Sequence, residues 1–143
     1  GLNLGNPMMM DVAIPANVRV GLAQSELPVQ GAALTPDAAM ALLGRPDVVL
    51  VDLREARERQ QHHIIPGSLH APYRGLEETM RPGGMLYELA NATGRRLVFY
   101  CAFGERSAMA VTAAAAAGLT NVCHIHGGID AWKKAKGPVI APG

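Results

Sequence analysis

This 143-residue sequence predicts an α/β fold: a single domain with a five-stranded, mostly parallel sheet carrying helices on both faces. Three stretches carry that prediction. Val48-Val49-Leu50-Val51 is an unbroken β-branched and leucine run, the pattern of a strand covered on both sides. Leu97 to Tyr100 is a second such run, and a tight loop and an alanine-rich helical segment closed by Gly118 follow it. Strand, loop and helix in that order is the unit from which parallel sheets are built. Ahead of both, Thr35-Pro36-Asp37 marks a helix start directly after a short apolar stretch.

Residues 1–30 show no sustained period and read as an N-terminal extension to a domain spanning 31–140; the first seven, ahead of Met8-Met9-Met10, read as a cloning remnant. Ala32 to Leu34 is the first predicted strand. Thr35 is placed to cap the next helix, Pro36 takes its first position, where the missing N–H has no intrahelical partner to lose, and Ala38 to Leu43 continue it to Gly44. After the strand at Val48, a helix from Glu55 to Gln61 sets Glu55 and Arg59 four apart on a solvated face. Pro66-Gly67 is a turn, Ser68 to Ala71 a short strand stopped by Pro72, and Met85 to Ala90 a helix. Arg106 to Ala117 is helical, with alanines that let it lie close to the sheet and Gly118 at its C′ position. Asn121 to Ile125 is the last strand, and Trp132 anchors the terminal helix.

The loop Tyr100-Cys101-Ala102-Phe103-Gly104-Glu105-Arg106-Ser107 lies at the carboxyl end of a parallel strand, where open α/β sheets place their ligands. Such a loop can curl its N–H groups toward one centre while the following helix aims its positive end at the same point. A cysteine at the mouth of that cradle gains stabilisation for its thiolate, which makes Cys101 a candidate nucleophile. Gly104 can take a positive φ, Arg106 brings a fixed charge and Ser107 is placed to cap the helix. A lone cysteine in a strand is ordinarily an apolar packer; the agreement of four neighbouring features argues for reactivity instead.

Read as Cys101, Gly104, Arg106 and Ser107, this Cys-x-x-Gly-x-Arg-Ser loop resembles the active-site loop of single-domain rhodanese sulfurtransferases. Val48 to Arg54 with Glu58, His63 to Pro72, and His126-Gly127-Gly128 with Trp132 resemble that family's other fingerprints, in the same order, over about residues 33 to 138. The resemblance implies a single rhodanese-like domain that moves sulfane sulfur through a Cys101 persulfide. It implies Cys101 and Arg106 as catalytic residues, with Ala102, Phe103, Gly104, Glu105 and Ser107 lining the substrate loop. Arg106 would neutralise the persulfide or fix the loop through its carbonyls, and Asp52 and Arg54 would brace a strand-to-helix turn. The partners implied are a small-molecule or protein sulfur donor and a thiol acceptor; a persulfide carrier or redox-sensing module is the alternative. Four residues separate Cys101 from Arg106, one fewer than in the C-x5-R loops of cysteine phosphatases and arsenate reductases. Thiosulfate-using members tend to carry basic loop residues where this chain has Phe103 and Glu105, so thiosulfate is expected to be a poor donor.

Composition narrows the field further. A hydrophobic share of 49% against 17% charged residues is that of an ordinary globular domain, and a formal charge of +1 gives no electrostatic case for nucleic acid or anionic membranes. No run approaches the ~20 apolar residues of a spanning helix. Two cysteines are too few for a disulfide scaffold, and a reactive thiol suits a reducing compartment, so the cytoplasm is expected. Cys123 sits about three residues before the end of its strand, too far from Cys101 to bridge, and is expected to pack in the core. His124 and His126 share a face of that strand, yet no third ligand has recognisable spacing, so neither metal nor cofactor is expected.

Overall fold

The computed structural model describes residues 31–119 and 121–141; the extension at 1–30 and its first seven residues lie outside the described residues. The elements in order are β1 (Ala33–Leu34), α1 (Pro36–Met40), β2 (Val48–Asp52), α2 (Ala56–Gln61), β3 (Leu69–His70), α3 (Leu76–Thr79), α4 (Met85–Tyr87), β4 (Arg96–Tyr100), α5 (Glu105–Ala116), β5 (Val122–Ile125) and α6 (Gly128–Lys134). The five strands form one sheet in the order β1-β5-β4-β2-β3, and every adjacent pair is parallel. Chain connections leave β2 toward one edge and β4 toward the other, so the sheet changes direction between these neighbours. The loop at Cys101 and the start of α2 both open at that switch point, the position at which such sheets bind ligands.

Alternation along β4 separates two cores. Leu97, Phe99 and Cys101 face one side, against Leu76 of α3, Leu86 of α4 and Ala110, Val111 and Ala114 of α5. Val98 and Tyr100 face the other, against Ala39 of α1 and Ile129 and Trp132 of α6. The sheet is therefore covered on both faces, which is why β2 and β4 read as continuous apolar runs. Cys123, on the α6 side, is fully buried, and burial pushes its thiol up to about 11. It belongs to the core and is unbridged.

Several local expectations are corrected. Thr35 caps α1 as expected, accepting from the Ala38 N–H at 3.1 Å, but α1 ends at Met40 and successive turns carry the chain to Gly44. The helix expected from Met85 to Ala90 is one α-turn that widens into a π-helical stretch at Glu88–Ala92. Only Ala110 and Ala114 of the alanine run face the sheet, with Ser107 and Val111 completing the buried stripe. Arg59 is not paired with Glu55: its Nε lies 3.2 Å from Asp52 Oδ2, while Glu55 meets Arg74 at 3.2 Å. Beyond α6 the tail turns back, with Pro138 O accepting from Trp132 Nε1 at 2.8 Å and Ile140 bridging Ile64.

The Asp-x-Arg pair does brace the turn after β2, and it does so from inside. Asp52 and Arg54 are 0% and 1% exposed, with Arg54 Nε and Nη2 donating to the two carboxylate oxygens at 3.0 Å each. Arg54 Nη2 also donates to His63 O at 2.9 Å, and Tyr100 donates its hydroxyl to Asp52 Oδ2 at 3.1 Å. Burial and the neighbouring Asp52 charge push the Tyr100 phenol up to about 12, which keeps it a donor. Breaking a buried pair leaves an uncompensated charge and costs about 3–5 kcal/mol. Asp52→Ala is accordingly expected to lower stability by about that amount in urea unfolding, and Tyr100→Phe by about 1–2 kcal/mol for its lost hydrogen bonds.

Candidate active site

The loop between β4 and α5 is held from behind. α6 begins at Gly128 beneath it, and the free amides of that helix's first turn donate to the loop: Ile129 N to Cys101 O at 2.9 Å and Asp130 N to Ala102 O at 3.1 Å. With those carbonyls bound on the α6 side, the next peptide group turns inward, and Gly104 N donates to Cys101 Sγ at 3.1 Å. Among the described residues it is the one backbone amide with hydrogen-bond geometry to the sulfur. Close approach requires glycine on both sides. A Cβ on Gly128 (φ +65°) would stand 2.5 Å from Cys101 O, and one on Gly104 (φ +104°) would stand 2.9 Å from Gly127 N.

Gly104 is itself the N-cap of α5, so Ser107 is not the cap expected for it. Ser107 lies in the first turn, fully buried, with its Oγ 3.1 Å from Gly104 O and 3.1 Å from His124 Nδ1. Cys101 Sγ lies 3.8 Å from that same oxygen. The thiol is not at an open mouth: Cys101 is 0% exposed. Glu105 Oε1 stands 3.8 Å from Sγ on an exposed side chain, while Phe103 is 65% exposed. Ala102 is half-buried behind the loop.

Arg106 is bonded to Glu58 rather than to the loop carbonyls, while its charge still acts on Cys101. Its Nη1 and Nη2 donate to Glu58 Oε1 and Oε2 at 2.8 Å each, a two-pronged pair that ties the first turn of α5 to α2. The bond raises the guanidinium's pKa above its usual range and holds the Glu58 carboxyl down to about 2. Glu58 Oε1 also accepts from the Glu55 N–H at 2.8 Å, so the same side chain closes the start of α2. Glu58 belongs to a recognised fingerprint, but nothing in its spacing joined it to Arg106, 48 residues on. His124 shows in the sequence only as half of a two-histidine strand face; its bond to Ser107, 17 residues away, carries no local signal. Among the described residues no three His, Cys, Asp or Glu side chains cluster to hold a metal ion.

A doubly covered parallel sheet with a cysteine loop at its switch point defines a class of small α/β domains, and comparison with known proteins supplies the family. Residues 35–135 match the rhodanese-like domain model, and the chain belongs to that family. It is 33% identical over 92 residues to thiosulfate:glutathione sulfurtransferase of Saccharomyces cerevisiae, covering 61% of this chain and 66% of that protein's length. A solved structure from Rhodopseudomonas palustris, of a protein of unknown function described as a possible tyrosine phosphatase, is 39% identical. It superposes with a TM-score of 0.70 over 77% of this chain and 85% of that one. The rhodanese-like domain of an Anabaena protein shares the fold, with a TM-score of 0.60 at 23% identity over 77% of this chain and 79% of that one.

Two stability measurements check the framework. Gly128→Ala is expected to destabilise by about 1–3 kcal/mol more than Gly67→Ala, where φ is also positive but a Cβ meets nothing within 4 Å; thermal unfolding of both separates the clash from the strain. Glu58 has a folded pKa of about 2, below its ordinary 4.5. Its contribution is therefore complete above pH 4.5 and is lost as pH falls toward 2. Solvent screening of this half-exposed pair limits that contribution to about 1 kcal/mol. Unfolding midpoints of Glu58→Gln should lack that acid slope.

Proposed function

We propose that this protein is a sulfurtransferase that carries sulfane sulfur on Cys101. The observation that carries the reading is the Gly104 N–H at 3.1 Å from Cys101 Sγ, in a loop whose preceding carbonyls are bound away from the sulfur. In the first step the Cys101 thiolate attacks the outer sulfur of a donor; a new S–S bond forms, the donor's own bond to that sulfur breaks, and the leaving group keeps the electron pair. In the second, a thiophilic acceptor attacks the outer sulfur and Cys101 departs as thiolate. In this reading the Gly104 N–H holds the inner sulfur, and the other loop amides from Ala102 to Arg106, with the positive end of the 12-residue α5, meet the charge of the outer one. Arg106 is a positioning residue here, because its guanidinium is committed to Glu58.

The same commitment weighs against phosphoryl chemistry, which needs a guanidinium free to clamp the phosphate oxygens. With only four residues between Cys101 and Arg106, the ring suits one sulfur atom better than a tetrahedral oxyanion. Glu105 governs the donor. Its carboxylate stands 3.8 Å from a fully buried sulfur, and it repels a dianion. A persulfide donor, small or protein-borne, fits better than thiosulfate, with a low-mass thiol as acceptor in keeping with the name of the yeast relative. A reducing compartment, the cytoplasm, would preserve such a thiol.

The carrier reading is favoured by the exposed Phe103 beside the buried thiol, and it predicts slow reaction with small donors but fast reaction with one protein donor. Intact mass after incubation with thiosulfate, with a low-mass persulfide and with a persulfidated protein tests both. A gain of about 32 Da, absent in Cys101→Ser, is the expected result, and no gain from any donor overturns the proposal. Glu105→Gln is expected to raise the rate with thiosulfate about tenfold and to leave the rate with a neutral donor within about twofold. Thiocyanate release in the presence of cyanide measures both rates.

A further inference from the structure

We infer that His124 is a positioning residue for Cys101, acting through Ser107 as the far end of a two-step proton relay. The inference rests on Cys101 being the reactive sulfur. In the sheet His124 pairs with Phe99, and Cys101 follows Phe99 by two residues, so the period of the strands puts sulfur and imidazole on the same α5 face. Ser107 fills the space between them. Cys101 Sγ is 3.8 Å from its Oγ, and that Oγ is 3.1 Å from His124 Nδ1. Ser107 is fully buried and His124 is 8% exposed, so the line runs through the interior.

The serine proton has two acceptors in reach, Gly104 O and His124 Nδ1, and the state of the imidazole selects between them. With Nδ1 unprotonated, Ser107 donates to it and turns a lone pair to the thiol. Before Cys101 attacks, its S–H bond breaks, leaving the thiolate, and an O–H bond forms on Ser107. The former Ser107 proton passes to Nδ1, leaving imidazolium, and it returns by the same path when Cys101 leaves the persulfide. Burial, then the neighbouring His126, holds His124 below its usual 6.5, so the imidazole is neutral at neutral pH, and in its Nε2–H tautomer Nδ1 is the acceptor the relay uses. The titratable groups around this line are His126 past the end of β5 and Cys101 and Glu105 from the loop and α5, with Arg106 closed on Glu58; β1 offers only Ala33 at its register position.

The test is the rate of Cys101 alkylation by iodoacetamide from pH 5 to 9, read at the Cys101 peptide by mass spectrometry. This readout requires no sulfur transfer, so the relay and the sulfurtransferase reading can fail separately. The wild-type rate is expected to climb through a step below pH 6.5, level off, and climb again as the free thiol ionises. His124→Asn and Ser107→Ala should abolish the plateau and react about tenfold more slowly at pH 7, less than general-base assistance usually gives because the sulfur end is long. Ser107→Thr should restore the plateau, and His126→Asn should keep it with its acid step moved up. A wild-type profile without the plateau, or a plateau that persists in either His124→Asn or Ser107→Ala, overturns the relay.

Discussion

Two hydrogen bonds, from the Ile129 and Asp130 amides to the Cys101 and Ala102 carbonyls, decide the shape of the loop that follows β4. A helix start has amides without intrahelical partners, and a loop leaving a strand has carbonyls without a ladder. Placing one against the other satisfies both and fixes which way each peptide faces. The consequence is electrostatic. Because the oxygens are bound on the α6 side, the Gly104 N–H is left facing the sulfur. Gly127 and Gly128 permit the approach, since both take positive φ and a side chain at either would strike its surroundings.

Around that contact the charges are paired for position. Asp52 binds Arg54 and Tyr100 inside the turn after β2, and Glu58, one turn into α2, takes the whole guanidinium edge of Arg106. These pairs join the two halves of the switch point: β2 and α2 on one side, β4 and α5 on the other. A buried ion pair such as Asp52–Arg54 adds little net stability over an apolar substitute, but it tolerates only one geometry. That property suits a site where a sulfur and a few amides must keep their spacing. The same economy explains why a residue that looks catalytic in the loop sequence, Arg106, serves as a strut.

Sequence pattern made much of this legible. Continuous apolar runs at Val48 and Leu97 announced doubly covered parallel strands, Thr35-Pro36 announced a capped helix, and the Cys101 stretch announced a strand-to-helix loop, because each depends on residues adjacent in the chain. Less legible were the features whose stability comes from packing, such as the short α3, which has neither length nor a side-chain cap to mark it, and the widening of α4 into a π-helical stretch.

The chain's local chemistry alone determined that a parallel α/β domain would form and that Cys101 would end a strand beside a helix start. It could not determine which partner each polar group takes. Arg106 and Glu58 are 48 residues apart, Ser107 and His124 are 17 apart, and the α6 amides meet a loop more than twenty residues earlier. Such pairings depend on how the strands are ordered and how far each helix sits from the sheet, and those distances are set by the packed core as a whole.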